Sequence, residues 1–308
     1  MAFELSRTEK GTASARRAVR HQVKNALEAL SPRKVTDEAV HAARKDLKKG
    51  RAVLRLLRDA LTHATYVREN AAMRDAARPL SIVRDSTVLL RQLDELVQRF
   101  GAPARALPLE GLRRALRAER AAARRTLRRP VSLRAPLSAL RELHERSARW
   151  RVGEHDWSVL GKGLQRVYGH ARKAMAAAHA KRSAENLHEW RKQTKYLWHQ
   201  LQLLEPLWPG QVGELADEAH RLADYLGDDH DLAVLRAKVL ERREVFPDPS
   251  SRGALLALID RCRTELQDKA FVLGERLLAE KPREFSARFG RYWRDWHRGV
   301  AKIGRARH

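Results

Sequence analysis

Residues 40–49 read VHAARKDLKK, and residues 187–196 read LHEWRKQTKY. Four basic residues recur at one offset of 147 positions: His41 with His188, Arg44 with Arg191, Lys45 with Lys192, and Lys48 with Lys195. A hydroxyl residue and acidic residues precede each segment, TDE at 36–38 and SAE at 183–185, as at the start of a helix. The common register indicates an internal repeat carried on two helices.

On a helix with about 100° per residue, the four basic residues of each copy lie on one face. In the first copy this face continues along the helix to Arg51 and Arg55, and the copy also contains Lys49 where the second has Tyr196. An apolar stripe lies beside each basic face. Each helix can therefore pack into a core and still present cations to an anion.

The composition supports a folded protein with a polyanionic partner. The chain has 308 residues, and 63 Lys and Arg against 38 Asp and Glu give a net charge of +25 and a pI near 11.0. Such a charge favours nucleic acid, polyphosphate or an anionic membrane surface as the partner. The apolar fraction of 43% is ordinary for a globular protein, so the charge does not indicate disorder.

The single cysteine, Cys262, excludes an internal disulfide and a thiolate-rich zinc site. No segment approaches the roughly 18 uninterrupted apolar residues of a membrane span, and the N-terminus lacks the apolar region of a secretion signal. We therefore expect a cytoplasmic protein without a membrane span.

Cap, proline and glycine signals divide the chain into helices, and no segment alternates like a strand. Helices are predicted at 16–30, 37–63, 67–77, 81–100, 111–129 and 137–150, with breaks at Pro79, Pro130 and Pro136. In the second half they are predicted at 159–180, 184–204, 214–226 and 252–280, with a short basic aromatic helix at 285–299 whose Trp293 and Trp296 pack inward. The fold class is all-α, with one four-helix bundle in residues 1–150 and another in 151–308.

Weaker correspondences relate other parts of the two halves. The segment LGDDHDLAVL at 226–235 matches RDSTVL at 84–89, so that Arg84 stands where the second half has His230. The opening helices match near Lys24 in the first half and near Arg172 and Lys173 in the second. These five residues join the candidate anion ligands, whereas His199 and His220 are predicted to be structural.

The repeated His-x-x-Arg-Lys-x-x-Lys segment and the 226–235 segment together resemble the CHAD family, the conserved histidine α-helical domain. The resemblance implies two pseudo-symmetric four-helix bundles around a basic central cavity. It also implies binding of inorganic polyphosphate and, for some members, association with polyphosphate granules. The family's basic ligands would be the eight repeated residues, from His41 to Lys48 and from His188 to Lys195.

The resemblance predicts a stand-alone binding domain with no cofactor, no metal and no catalytic residue. Many CHAD relatives carry a triphosphate-tunnel catalytic domain, whose Glu-x-Glu-x-Lys segment does not occur in this sequence. Two alternatives remain open. The charge is typical of nucleic-acid-binding proteins, although no known nucleic-acid-binding motif is present. The 229–231 segment, Asp-His-Asp, resembles part of a metal-dependent phosphohydrolase site.

Overall fold

The structure, a computed structural model, describes residues 3–31, 35–127, 130–153 and 157–305, with side chains except at 82–85, 130–131 and 299–305. These residues form eleven α-helices: α1 Gly11–Leu30, α2 Asp37–Leu56, α3 His63–Phe100, α4 Ala102–Arg105, α5 Glu110–Leu127, α6 Pro130–Ala148, α7 Trp157–Ala180, α8 Ala184–Leu204, α9 Pro209–Glu241, α10 Pro249–Leu277 and α11 Pro282–Arg305. The described part of the chain contains no strand, which confirms the all-α prediction.

The two helices that carry the repeat begin in the same way. The side chain of Thr36 accepts a hydrogen bond from the backbone N–H of Ala39 at the start of α2, at 3.2 Å. Ser183 accepts one from Asn186 at the start of α8, also at 3.2 Å. Each cap satisfies a backbone donor that has no partner inside the helix. The predicted starts of both helices are confirmed.

The predicted break at Pro79 is wrong, because α3 runs through it from His63 to Phe100. A proline inside a helix removes one backbone hydrogen bond and crowds the preceding turn. Here Met73, Ala76 and Leu80 are all buried in the core on either side of Pro79. Their packing keeps the helix continuous, so tertiary contacts override the local preference.

Other predicted boundaries also differ from the structure. The predicted helix at 214–226 is only the middle of α9, because the 226–235 segment continues the same helix. Helix α6 starts at Pro130 and passes through Pro136, whereas α2 ends at Leu56 and is followed by a short 3-10 turn, Arg58–Ala60. The C-terminal helix is not short, since α11 extends over 24 residues. Its Trp293 and Trp296 are buried, as predicted.

Helix α2 packs between α1 and α3, and α8 packs in the same way between α7 and α9. The two halves of the chain meet where α2 contacts α7 and α8 and where α3 contacts α9. At this junction the side-chain amide of Gln200 donates to the carbonyl of Ala52 at 2.9 Å. Helices α7 and α2 approach so closely that a Cβ at Gly163 would lie 2.5 Å from the Cα of Leu56.

Two apolar clusters form the core, and both contain residues from each half. The larger one joins Val19 and Leu54 to Leu164 and Trp190. The smaller one contains Leu93, Leu116, Leu235 and Ile259 from α3, α5, α9 and α10. Within the described residues, no helix is long and apolar enough to cross a membrane. The shared core fixes α2 against α8, so the two basic faces are held close to each other.

Candidate anion-binding cavity

Helices α2, α3, α8 and α9 surround a cavity of about 440 Å³, which we call the central cavity. It lies at the contact between the two helices that carry the repeat. Six permanently charged cations line it: Arg44, Lys45 and Lys48 from α2, Arg91 from α3, and Arg191 and Lys195 from α8. The imidazole of His41 belongs to the same wall. Cations of both repeat copies therefore line one cavity.

The part of the lining formed by α9 is acidic. Asp224, Asp228 and Asp231 follow one another at i, i+4 and i+7 and all line the central cavity. Burial raises the pKa of Asp228 to about 6, and the neighbouring carboxylates of Asp231 and Asp224 add to this effect. The cavity thus has a basic side on α2, α3 and α8 and an acidic side on α9.

A fourth carboxylate, Asp37, lines the cavity at the start of α2. Its two oxygens accept hydrogen bonds from Arg120 and Arg124 of α5, both at 3.0 Å. Both oxygens of Asp37 are therefore engaged in ion pairs with α5. Among the carboxylates that line the cavity, this leaves those of α9, while Arg91 pairs with Glu95 of its own helix at 3.3 Å.

Ring side chains complete the lining. His199 is buried, and its burial lowers its pKa to about 3, so the ring is uncharged at neutral pH. Its Nδ1 lies 3.0 Å from the side-chain oxygen of Gln202. The ring of Trp198 stacks on His220 with centroids 3.9 Å apart, and it is also close to His199. These rings form an aromatic edge of the cavity.

The structure brings together six of the predicted ligands: His41, Arg44, Lys45, Lys48, Arg191 and Lys195. The second-copy residues His188 and Lys192 lie outside the cavity lining. Lys192 forms an ion pair with Glu189 on its own helix. The Nδ1 atoms of His188 and His230 are 3.2 Å apart. Partial burial, followed by the nearby charges of Arg191 and Lys192, lowers the pKa of His188.

The remaining predicted ligands are placed elsewhere. Arg51 and Arg55 donate to the side-chain oxygen of Asn70, and the Arg55 guanidinium lies 3.7 Å from the ring centroid of Tyr196. The others occupy separate surfaces: Lys24 pairs with Glu28, Lys49 lies over the ring of Phe3, Arg172 donates to the carbonyl of Glu280, and Lys173 is exposed on α7. The Arg84 side chain falls outside the described residues.

Asp229, next to His230, has a structural role. It is buried, and one of its oxygens accepts hydrogen bonds from Arg263 at 3.0 Å and from Gln267 at 2.8 Å, which join α9 to α10. Burial raises its pKa despite these two donors. Among the described residues, no group of three His, Cys, Asp or Glu side chains is arranged to hold a metal ion.

Sequence reasoning missed Arg91, Asp224 and Asp228, and it set aside His199 and His220 as structural. Helical spacing in the sequence could have indicated some of these residues. Arg91 is seven residues after Arg84 and so lies on the same helix face. The three aspartates of α9 share a face for the same reason. Nothing in the spacing alone shows that these faces point at the repeat.

The helices that line the central cavity belong to a known family of domains. A model of the CHAD domain matches residues 13–240, which include both copies of the repeat and every helix that lines the central cavity. The chain belongs to the CHAD domain family. Helices α10 and α11 lie beyond the residues that match the CHAD domain.

A solved structure, PptA from Streptomyces chartreusis, is similar to this CHAD protein with a TM-score of 0.60. The two sequences are 16% identical, and the likeness covers 87% of this chain and 99% of PptA. At this level of identity the comparison shows a common fold. A search of curated proteins found no match to this sequence.

Proposed function

We propose that this CHAD protein binds inorganic polyphosphate in the central cavity and does not hydrolyse it. The observation that carries the proposal is the meeting of the two repeat copies, which together place five permanent cations and His41 in one cavity. Arg91 of α3 supplies the sixth permanent cation. A ligand that consists only of linked phosphates needs many cationic donors and no base-reading surface.

The cavity favours polyphosphate over nucleic acid. Its volume of about 440 Å³ suits a few linked phosphate groups, whereas a duplex would have to bind on the outside. The aromatic ring of Trp198 is already stacked on His220, so it does not offer an open face to a base. A flexible chain without bases can enter the cavity and contact both motif helices.

Two residues of the second half, Asp229 and His230, support binding without turnover. Hydrolysis by a His-Asp metal site would need these side chains as ligands. Asp229 instead accepts hydrogen bonds from Arg263 and Gln267, and His230 lies against His188.

We also propose two pseudo-symmetric bundles around the cavity, because α1, α2 and α3 pack in the same order as α7, α8 and α9. Binding to long chains would bring the protein to polyphosphate granules.

A competition titration tests the proposal. Labelled long-chain polyphosphate is bound at fixed ionic strength and displaced with DNA, RNA or heparin of equal charge. We expect polyphosphate to bind more tightly than each competitor. With six phosphate contacts, the slope of log K against log salt should be about −4. Displacement by DNA at equal charge would contradict the proposal, as would release of orthophosphate in the presence of Mg²⁺ or Mn²⁺.

The repeat supplies a matched pair of variants for this titration. Lys45 and Lys192 are equivalent in sequence and both exposed, but only Lys45 lines the cavity. We expect Lys45→Glu to weaken polyphosphate binding by more than about tenfold, since it places a carboxylate beside bound phosphate. Lys192→Glu should weaken it much less. Equal effects would show that general charge, and not the cavity, determines affinity.

A further inference from the structure

A second basic depression, here called the basic groove, lies between α2 and α3 and has a volume of about 270 Å³. Its charged lining consists of Arg44, Lys48 and Arg51 from α2 and Arg74 and Arg78 from α3. The other lining residues are Leu47, Ala77 and Ser81. Among the described residues, therefore, no carboxylate lines the basic groove, in contrast to the central cavity with its acidic wall.

The groove adjoins the central cavity, because Arg44 and Lys48 line both. Arg44, Lys48 and Arg51 are spaced at i, i+4 and i+7, so they form one row along α2. A flexible polyanion bound in the cavity can follow this row into the groove. It would move away from the acidic wall on α9 as it does so.

Three cations of the groove, Arg51, Arg74 and Arg78, are oriented but not neutralised in full. The guanidinium of Arg51 donates to the uncharged side chain of Asn70 at 3.1 Å, which orients it without cancelling its charge. Asp75 pairs with Arg74 at 3.0 Å and with Arg78 at 2.6 Å. Both ion pairs are exposed to solvent and therefore weak. A phosphate group can compete with this single carboxylate for two guanidinium groups.

We infer that the basic groove binds the phosphates of a polyphosphate chain that extends out of the central cavity, so that the protein selects long chains over short ones. The inference rests on the proposed function. A chain long enough to occupy cavity and groove makes two linked sets of contacts, and the second set forms at high effective concentration. A short chain fills the cavity alone and gains nothing from Arg74 and Arg78.

The test compares tripolyphosphate with long-chain polyphosphate of defined length in calorimetric titrations of the full-length protein. For Arg74→Ala/Arg78→Ala we expect affinity for the long chain to fall about tenfold at roughly 0.1 M salt, and the log-log salt slope to become shallower by about 1.4. Affinity for tripolyphosphate should change less than about twofold. Circular dichroism verifies that the variant stays folded.

The chain contains a matched control, because Arg74-Asp75 with Arg78 and Arg294-Asp295 with Arg298 follow the same pattern of an arginine, an aspartate and an arginine. The control pair is exposed on α11, where Arg298 pairs with Asp295. Arg294→Ala/Arg298→Ala removes the same charge but should leave affinity for both ligands within about twofold of the wild type.

Three results would overturn the inference and are distinguishable from failure of the proposed function. Equal loss of long-chain affinity in the two double variants would show a general charge effect. Equal loss for both ligands in Arg74→Ala/Arg78→Ala would exclude selection by length. Asp75→Asn should tighten long-chain binding several-fold, and weaker or unchanged binding would contradict the role of the groove. Failure of the wild type to bind either ligand would refute the proposed function itself.

Discussion

Asp228 lines the central cavity together with the cations of the basic wall, and its burial raises its pKa. Its pKa of about 6 means that the carboxyl is charged at pH 8 and becomes neutral as the pH falls below 6. A charged Asp228 repels bound phosphate, so polyphosphate binding should tighten on acidification. His41 in the same wall acts in the same direction, because a bound phosphate favours its protonated form.

We predict that Asp228→Asn binds polyphosphate about three- to tenfold more tightly than the wild type at pH 8 and that the difference disappears near pH 4. The folded protein holds this proton more tightly than the unfolded chain, whose Asp pKa is near 3.8. Ionisation of Asp228 therefore lowers the stability of the wild type as the pH rises from about 4 to 6, so Asp228→Asn should raise Tm at pH 8 but not at pH 4.

Titrations and thermal unfolding at both pH values measure these effects. Asp295→Asn, an exposed change on α11, is the control and should alter neither quantity. Unchanged affinity of Asp228→Asn at pH 8 would show that this carboxyl does not face the ligand.

At the scale of elements, α11 is a structural part of the protein although it lies beyond the residues that match the CHAD domain. Phe285 and Phe289 are buried on its inner face, with ring centroids 4.9 Å apart, and Phe289 also stacks against Trp157 of α7 at 6.4 Å. We predict that Phe289→Ala lowers the free energy of unfolding by about 3–5 kcal/mol. Polyphosphate affinity should be unchanged under conditions where the variant remains folded.

Urea denaturation measures this loss. Arg294→Ala, on the exposed face of the same helix, should change stability by less than about 0.5 kcal/mol. A loss below about 1 kcal/mol for Phe289→Ala would show that α11 is only loosely attached to α7.

At the scale of the whole molecule, the shared core predicts that the two halves unfold together. Six of the seven tryptophans lie after position 150, so tryptophan fluorescence reports mainly on the second half, whereas far-UV circular dichroism reports on every helix. Because both apolar clusters contain residues of each half, the two signals should follow one coincident transition in urea. Two separate midpoints would show that residues 1–150 and 151–308 unfold independently.

The sequence by itself determined the all-α class, the starts of α2 and α8 and the register of the basic repeat, because caps such as Thr36 and Ser183 and helical periodicity act over a few neighbouring residues. Only the tertiary structure decided that Lys45 lines the cavity while the equivalent Lys192 pairs with Glu189. It also brought the aspartates of α9 into the same cavity as the basic residues.

The physical reason is that the ion pairs and the pKa of a side chain depend on the groups that other helices pack against it. Which groups these are is set by how helices distant in sequence pack together. Pro79 shows the same principle in the fold. A proline costs about 3 kcal/mol within a helix, yet buried Met73, Ala76 and Leu80 keep α3 continuous through it.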